Sequence, residues 1–151
     1  MSIIHRENRS TPLHSVSVAG VVIRNDGRVL TIKRADNGTW EPPGGVLDLT
    51  ESPEEGVRRE VYEETGIRVR VERLTGVYKN TARGILALVF RCHPEGGHER
   101  LSDESTAVTW LTPAEVVDRM AEVYAVRVTD ALLEGEPRVR AHDGRRLAGG
   151  A

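Results

Sequence analysis

Cysteine is nearly missing. Cys92 is the single one in 151 residues, so no internal disulfide can form and the chain reads as intracellular, with a cytoplasmic location expected. The thiol lies in an apolar run, where a small core residue is expected. No stretch approaches the ~20 apolar residues of a membrane-spanning helix. Met1 to Ser10 holds only the pair Ile3-Ile4 where a secretory leader would carry an apolar block. Excess positive charge is missing too: a formal net charge of -2 argues against a surface built to neutralise an extended nucleic-acid backbone. One small phosphorylated ligand stays open, since it needs only a local pocket or a bound cation. The histidines, His5, His14, His93, His98 and His142, show no metal-ligand spacing. Aromatic residues make up only 4%, which leaves Trp40 two readings, stacking on a base or closing the core. Trp110, inside an apolar strand, is expected in the core. No internal repeat is present.

What remains is an ordinary globular composition, 38% hydrophobic and 29% charged, enough for one compact domain and too short for two. The domain is expected over residues 14–135, after a polar, flexible leader (1–13) and before a loose, basic, Gly-rich tail (136–151). The tail arginines, Arg138, Arg140, Arg145 and Arg146, are expected to be solvated.

His14 to Arg24 is rich in β-formers, Asn25-Asp26-Gly27-Arg28 supplies hairpin-turn chemistry, and Val29 to Arg34 reads as the returning strand. Ala35 to Gly45 reads as a loop. Ser52, Pro53 and Glu55 give an N-cap, a first-turn proline and a capping box, and Gly66 a left-handed stop, predicting a helix over Pro53–Thr65. Ile67, Val69 and Val71 alternate with charged residues as in a strand with one buried face. Gly84 to Arg91 reads as a central strand covered on both faces. A short strand over Ala107–Leu111, a capped helix from Thr112 through Met120 and a helix from Glu122 to Glu134 complete the pattern. Such interspersed elements predict an α/β (α+β) fold, a mixed β-sheet sandwiched between helices.

Glu60, Glu63 and Glu64 stand at i, i+3 and i+4 of the first helix, so their carboxylates share an arc of about 100°. Like charges at that spacing cost roughly 0.2–0.5 kcal/mol per pair, and the helix C-terminus disfavours anions further. Glu54–Arg58 and Glu55–Arg59 are spaced as compensating pairs, whereas Glu60 to Glu64 gathers negative charge without compensation. A divalent cation among the oxygens reverses the penalty, and oxygen-only ligation suits Mg2+ or Mn2+ rather than zinc. A solvated acidic face is the plainer alternative.

The surrounding spacing decides between them. Gly45, five residues, Glu51, seven residues, then Arg59-Glu60-Val61-Tyr62-Glu63-Glu64-Thr65-Gly66-Ile67 matches a pattern whose fixed letters would coincide by chance on the order of once in 10⁸ registers. In this segment the chain resembles the Nudix hydrolase family, and the order of strands from about His14 to Glu134 resembles it more loosely. The resemblance implies an α/β/α sandwich with a loop–helix–loop site that hydrolyses the pyrophosphate linkage of a nucleoside diphosphate joined to another moiety: a nucleoside triphosphate, ADP-ribose, a dinucleotide or a nucleotide sugar.

It implies Mg2+, with Mn2+ as substitute, on Glu60, Glu64 and Glu63, the last directly or through water, and on the carbonyl of Gly44. Gly45, Glu51, Arg59 and Gly66 are implied to brace the site. The general base is implied to be Glu60, or a later glutamate whose placement Glu104 matches. Thr50 and Asp48 stand where many members carry Gly and Glu, which affects the shape of the loop and no fixed position. Arg34 by its place in the chain, and Lys79 and Arg83 flanking a turn, are candidates for substrate contacts along with Trp40. A catalytically silent Nudix domain that senses a nucleotide or binds a partner is the alternative. It would be marked by loss of a helix glutamate, and all are present. A homodimer is compatible with the sequence, and no membrane partner is expected.

Overall fold

The computed structural model describes residues 10–149. Strand β1 (Ser15–Val22) is an interior strand with apolar residues on both faces. Val18 and Val22 pack with Val57 and Val61 of helix α1 (Pro53–Thr65). Ala19 and Val21, on the opposite face, pack with Val116 of α2 (Pro113–Arg119) and Val128 of α3 (Glu122–Ala131). The period of two along one strand thus builds two cores, with helices on both sides of the sheet as expected.

The main sheet has the order β4-β1-β6-β5-β8, with β4 at Gly44–Val46, β5 at Ile67–Asn80, β6 at Ile85–Gly97 and β8 at Arg138–His142. It is mixed: β1 runs parallel to β6 and β5 parallel to β8, while the β1–β4 and β5–β6 pairs are antiparallel. A second sheet, β3-β2-β7, joins β3 (Trp40–Glu41), β2 (Val29–Arg34) and β7 (Ser105–Leu111) in antiparallel pairs.

Both capping boxes form, Ser52 with Glu55 and Thr112 with Glu115. Gly66 takes the left-handed conformation at φ 78°, and a Cβ there would lie 2.2 Å from the His98 carbonyl oxygen. A side chain at this stop is therefore excluded twice, by backbone strain and by contact.

Several expectations change. Asn25–Arg28 does turn, with Gly27 at φ 86°, but β1 and β2 are bridged only at Ile23–Val29. Both edges of β1 are taken by β4 and β6, so β2 leaves to pair with β7. The expected loop 35–45 holds β3 and the start of β4. β5 and β6 run far longer than their periodicity suggests, because register shifts at Arg68/Val69, Val71/Arg73 and Leu74/Gly76 break the alternation that identifies a strand. The third helix ends at Ala131 rather than Glu134. Arg91 donates to the Ala131 carbonyl at 3.2 Å and Arg73 to that of Leu133 at 2.8 Å, serving terminal carbonyls from the sheet side.

The largest correction concerns the segment after Gly135. Expected as a loose tail, it supplies edge strand β8 along β5, in register from Gly76↔Arg138 to Asn80↔His142. Arg140, expected in solvent, forks the buried carboxylate of Asp130 with two bonds of 2.8 Å, and Tyr78 donates its hydroxyl to the same carboxylate at 2.6 Å. Ser10 to Leu13 carry no regular structure; the rest of the expected leader lies outside the described residues. No helix among the described residues is long and apolar enough to cross a membrane.

Candidate active site

Edge strand β4 lays the glycine pair against β1, with Gly44 opposite Ala19 and Gly45 opposite Val18. Helix α1 packs over it. Glu64 turns inward, 8% exposed, and accepts the Gly44 N–H at 2.8 Å. Glu60 rests on Gly45: a Cβ at Gly45 would stand 2.5 Å from a Glu60 carboxylate oxygen. A side chain at Gly45 would have to push that carboxylate aside, whereas one at Gly44 would meet the β1 backbone itself at Val18 and Ala19.

Arg59 ties the loop to the helix. It grips Glu51 from two nitrogens, reaches Glu60 at 3.0 Å and Glu63 at 3.2 Å, and donates to the Val46 carbonyl at 3.2 Å. The Arg59 guanidinium and the Asp48 N–H pull the Glu51 carboxyl down to about 2, and Arg59 is raised in turn. The expected Glu55–Arg59 pair is not formed, because Glu55 is engaged in the capping box. No Glu54–Arg58 pair forms among the described residues.

The negative charge is therefore less uniform than the spacing implies. Glu63 stands at the rim, half exposed and drawn to Arg59. Glu60 shares Arg59, yet burial leaves its carboxyl above the ordinary value, with Glu63 and Glu104 adding to the rise. Glu64 has no cation partner among the described residues. Burial pushes its carboxyl up to about 7, against the pull of the Gly44 N–H, and Glu60, Glu104 and Glu41 push the same way. Glu104 is exposed, on the chain leading into β7, its carbonyl accepting the Ala35 N–H at 2.9 Å. Among the described residues no three His, Cys, Asp or Glu side chains close around one point, since Arg59 holds Glu63 and part of Glu60 aside. The donors converging on the loop are all oxygens, and the deepest is a buried carboxylate lacking a counter-charge. Such a set fits a hard divalent cation.

Beside the glycine pair opens a cavity of about 260 Å³ whose lining includes Arg34, Glu41, Arg83, Tyr124, Arg127 and His142. Of the expected substrate contacts it takes Arg34 and Arg83. Arg34 is already forked to Asp36 at 2.9 and 2.7 Å. Lys79 and Trp40 are not among the lining residues. Trp40 packs against the α2–α3 core with Lys33 and Arg119 each 5.8 Å from its ring centre. Trp110 is only partly buried, and its indole N–H donates to Glu99 at 2.6 Å. Sequence reasoning missed Glu41, Tyr124, Arg127 and His142. The i, i+3 spacing of Tyr124 and Arg127 on a helix was the one local sign that two of them share a face.

A family model, the NUDIX domain, matches residues 13–132. A MutT-like protein of Streptomyces ambofaciens is 71% identical over 142 residues, covering 94% of this chain and 92% of that one. An ADP-ribose pyrophosphatase of Methanocaldococcus jannaschii is 34% identical over 100 residues, 62% of this chain and 59% of the relative. A Nudix hydrolase structure from Nitrosomonas europaea, at 22% identity, superposes with a TM-score of 0.75 over 87% of this chain and 81% of that one, which speaks for the fold. The chain belongs to the Nudix hydrolase family. Its activity is that of a pyrophosphohydrolase, in a family that generally uses divalent metal ions and acts on small nucleotides.

Proposed function

We propose that this chain hydrolyses the diphosphate linkage of a nucleoside diphosphate joined to another group, with Mg2+, or Mn2+ in its place, held by Glu60 and Glu64, by Glu63 directly or through water, and by the Gly44 carbonyl. The observation that carries the reading is Glu64: a carboxylate 8% exposed, surrounded by other carboxylates and facing the cavity loop without a counter-charge. An unpaired buried charge is costly to keep unless a ligand compensates it. When bound, the ion offsets the charge of the diphosphate and makes a nearby water more acidic.

The remaining tasks belong to the chain. Arg59 fixes the pose of Glu60 and the loop carbonyl of Val46 together. Glu104 takes the proton of the attacking water as general base. Glu60 is the less suited of the two candidates because Arg59 already occupies it. Products are a nucleoside monophosphate and the phosphorylated remainder, or a nucleotide and pyrophosphate.

The test is a panel of nucleoside triphosphates, ADP-ribose, dinucleotides and nucleotide sugars incubated with Mg2+, with products identified by mass. Cleavage at a diphosphate that stops with EDTA is expected. Absence of Mg2+ and Mn2+ binding, together with no cleavage anywhere in the panel, would overturn the reading.

A further inference from the structure

The far wall of the cavity is not used by this chemistry, and hydrogen-bond donors dominate it. His142, at the end of β8, is 3% exposed. Its Nδ1 accepts the Gly144 N–H at 3.0 Å, so in the neutral ring the proton sits on Nε2. Burial, helped by the charge of Arg127, keeps that ring neutral. The Nε2 donor is buried with no partner among the described residues. Arg127, on α3, shows the same condition: its Nε is buried and unpartnered, and its guanidinium stacks over Tyr78 at 5.3 Å and Tyr124 at 5.0 Å.

Asn80 closes the end of β5. Its Oδ1 accepts the N–H groups of Ala82 and Arg83 at 3.0 and 3.1 Å, which leaves its NH2 to donate. Arg83 pairs with no carboxylate among the described residues. On this wall the acceptors of Asn80 and His142 are already engaged, the Tyr124 hydroxyl can donate or accept, and the other free groups are donors, two of them cationic. Glu41, the one acid of the lining, is turned to Thr39 at 3.2 Å and Arg34 at 3.8 Å.

Unsatisfied buried donors call for an acceptor on a ligand. A nucleobase edge can offer neighbouring acceptors, as guanine does with O6 and N7, but it carries no charge to match two guanidiniums. A phosphoryl group presents acceptors alone and carries the opposite charge. We propose that Asn80, Arg83, Arg127 and His142 form a second anion subsite, taking a phosphoryl group that the substrate carries beyond the linkage hydrolysed at the glutamates. Asn80, Arg83 and Arg127 lie inside residues 13–132 matched by the family, whereas His142 lies outside them. The assignment of the phosphoryl group to a substrate rests on the proposed function; the anion binding itself does not.

The two parts separate in one experiment. Inorganic phosphate is titrated into the full chain in EDTA and followed by NMR, with Arg127→Met, Arg83→Met, His142→Ala and Glu64→Gln compared. Arg83 is exposed, so its variant reports on binding even if His142→Ala folds poorly. Saturable binding is expected, weakened at least fivefold by Arg83→Met and Arg127→Met and unchanged in Glu64→Gln. Absence of saturable binding, or equal binding in all variants, overturns the subsite. A kinetic pair then uses two nucleotides with the same hydrolysed linkage, only one carrying a remote phosphate. A rise in KM confined to that one in Arg127→Met supports the assignment; an equal rise for both overturns it and leaves the wall serving the diphosphate itself. Loss of the hydrolysis reading would show instead as absent turnover and metal binding, with phosphate binding in EDTA intact.

Discussion

Two carboxylates are buried among the described residues, and the fold treats them in opposite ways. Asp130, 3% exposed, is met by both arms of Arg140 and by the Tyr78 hydroxyl. Burial alone would raise its carboxyl, but these donors outweigh it and hold it below the ordinary range. Glu64, 8% exposed, receives one backbone N–H and is otherwise surrounded by acids, so its carboxyl is pushed up to about 7. The same expense of desolvation is settled inside the protein in one case and left open in the other. A buried acid that the chain neutralises is a piece of architecture; the one that it leaves bare is the observation on which the proposed metal site rests.

Glu64→Gln probes the contrast most severely. It keeps the volume and removes the charge, and should lower turnover at saturating Mg2+ at least a hundredfold, about 2.7 kcal/mol of barrier. The unfolding midpoint in EDTA should stay level or rise, because an uncompensated charge has gone. Near-parental turnover would end the metal assignment. Asp130→Asn should do the reverse, leaving the reaction rate per folded molecule intact and costing about 2 kcal/mol of stability in urea unfolding, since hydrogen bonds to a charged group are lost. Next in size, Glu104→Gln should reduce kcat about tenfold, roughly 1.4 kcal/mol, and unchanged turnover would return the base role to Glu60.

The remaining effect is in pH, and its sign differs between the two sites. The folded value of Asp130 lies below its unfolded one, so its contribution is present above about pH 4 and fades as pH falls through the folded value. Parental and Asp130→Asn melting curves should therefore converge in acid. The folded value of Glu64 lies above its unfolded one, so in EDTA the stability it contributes in acid is lost as pH climbs from about 4.5 towards 7. Melts of the parent and Glu64→Gln in EDTA should differ in slope across that window, and parallel curves would remove Glu64 as the titrating group.

The contrast also explains how far the chain could be read from its letters. Around Glu64 the instructions are local: Ser52, Pro53 and Glu55 open α1, Gly66 closes it, and the box spacing lies within one helix and its preceding loop. Even there one detail escaped, because Arg59 prefers the loop acid Glu51 to Glu55 on its own helix. Around Asp130 the instructions are distant. Strand β8 has a single large apolar residue, Val139, and it is 80% exposed. No periodicity announces such a strand; it is fixed by the open edge of β5 and by Arg140 finding an acid ten residues earlier. The cavity wall was missed for the same reason, since Asn80, Arg127 and His142 come from three separate elements and meet only after the sheet is assembled.

Strand β8 also bears on how the chain can be trimmed. A cut after Gly135 would keep every residue of the signature and the whole span matched by the family. It would also strip Asp130 of its guanidinium, bare one margin of β5 and take His142 away from the cavity. Such a shortened protein would retain its hydrolytic letters while losing both a stay of its scaffold and part of the wall proposed to hold a phosphoryl group, so the unit to keep extends past the glutamate helix to the end of this strand.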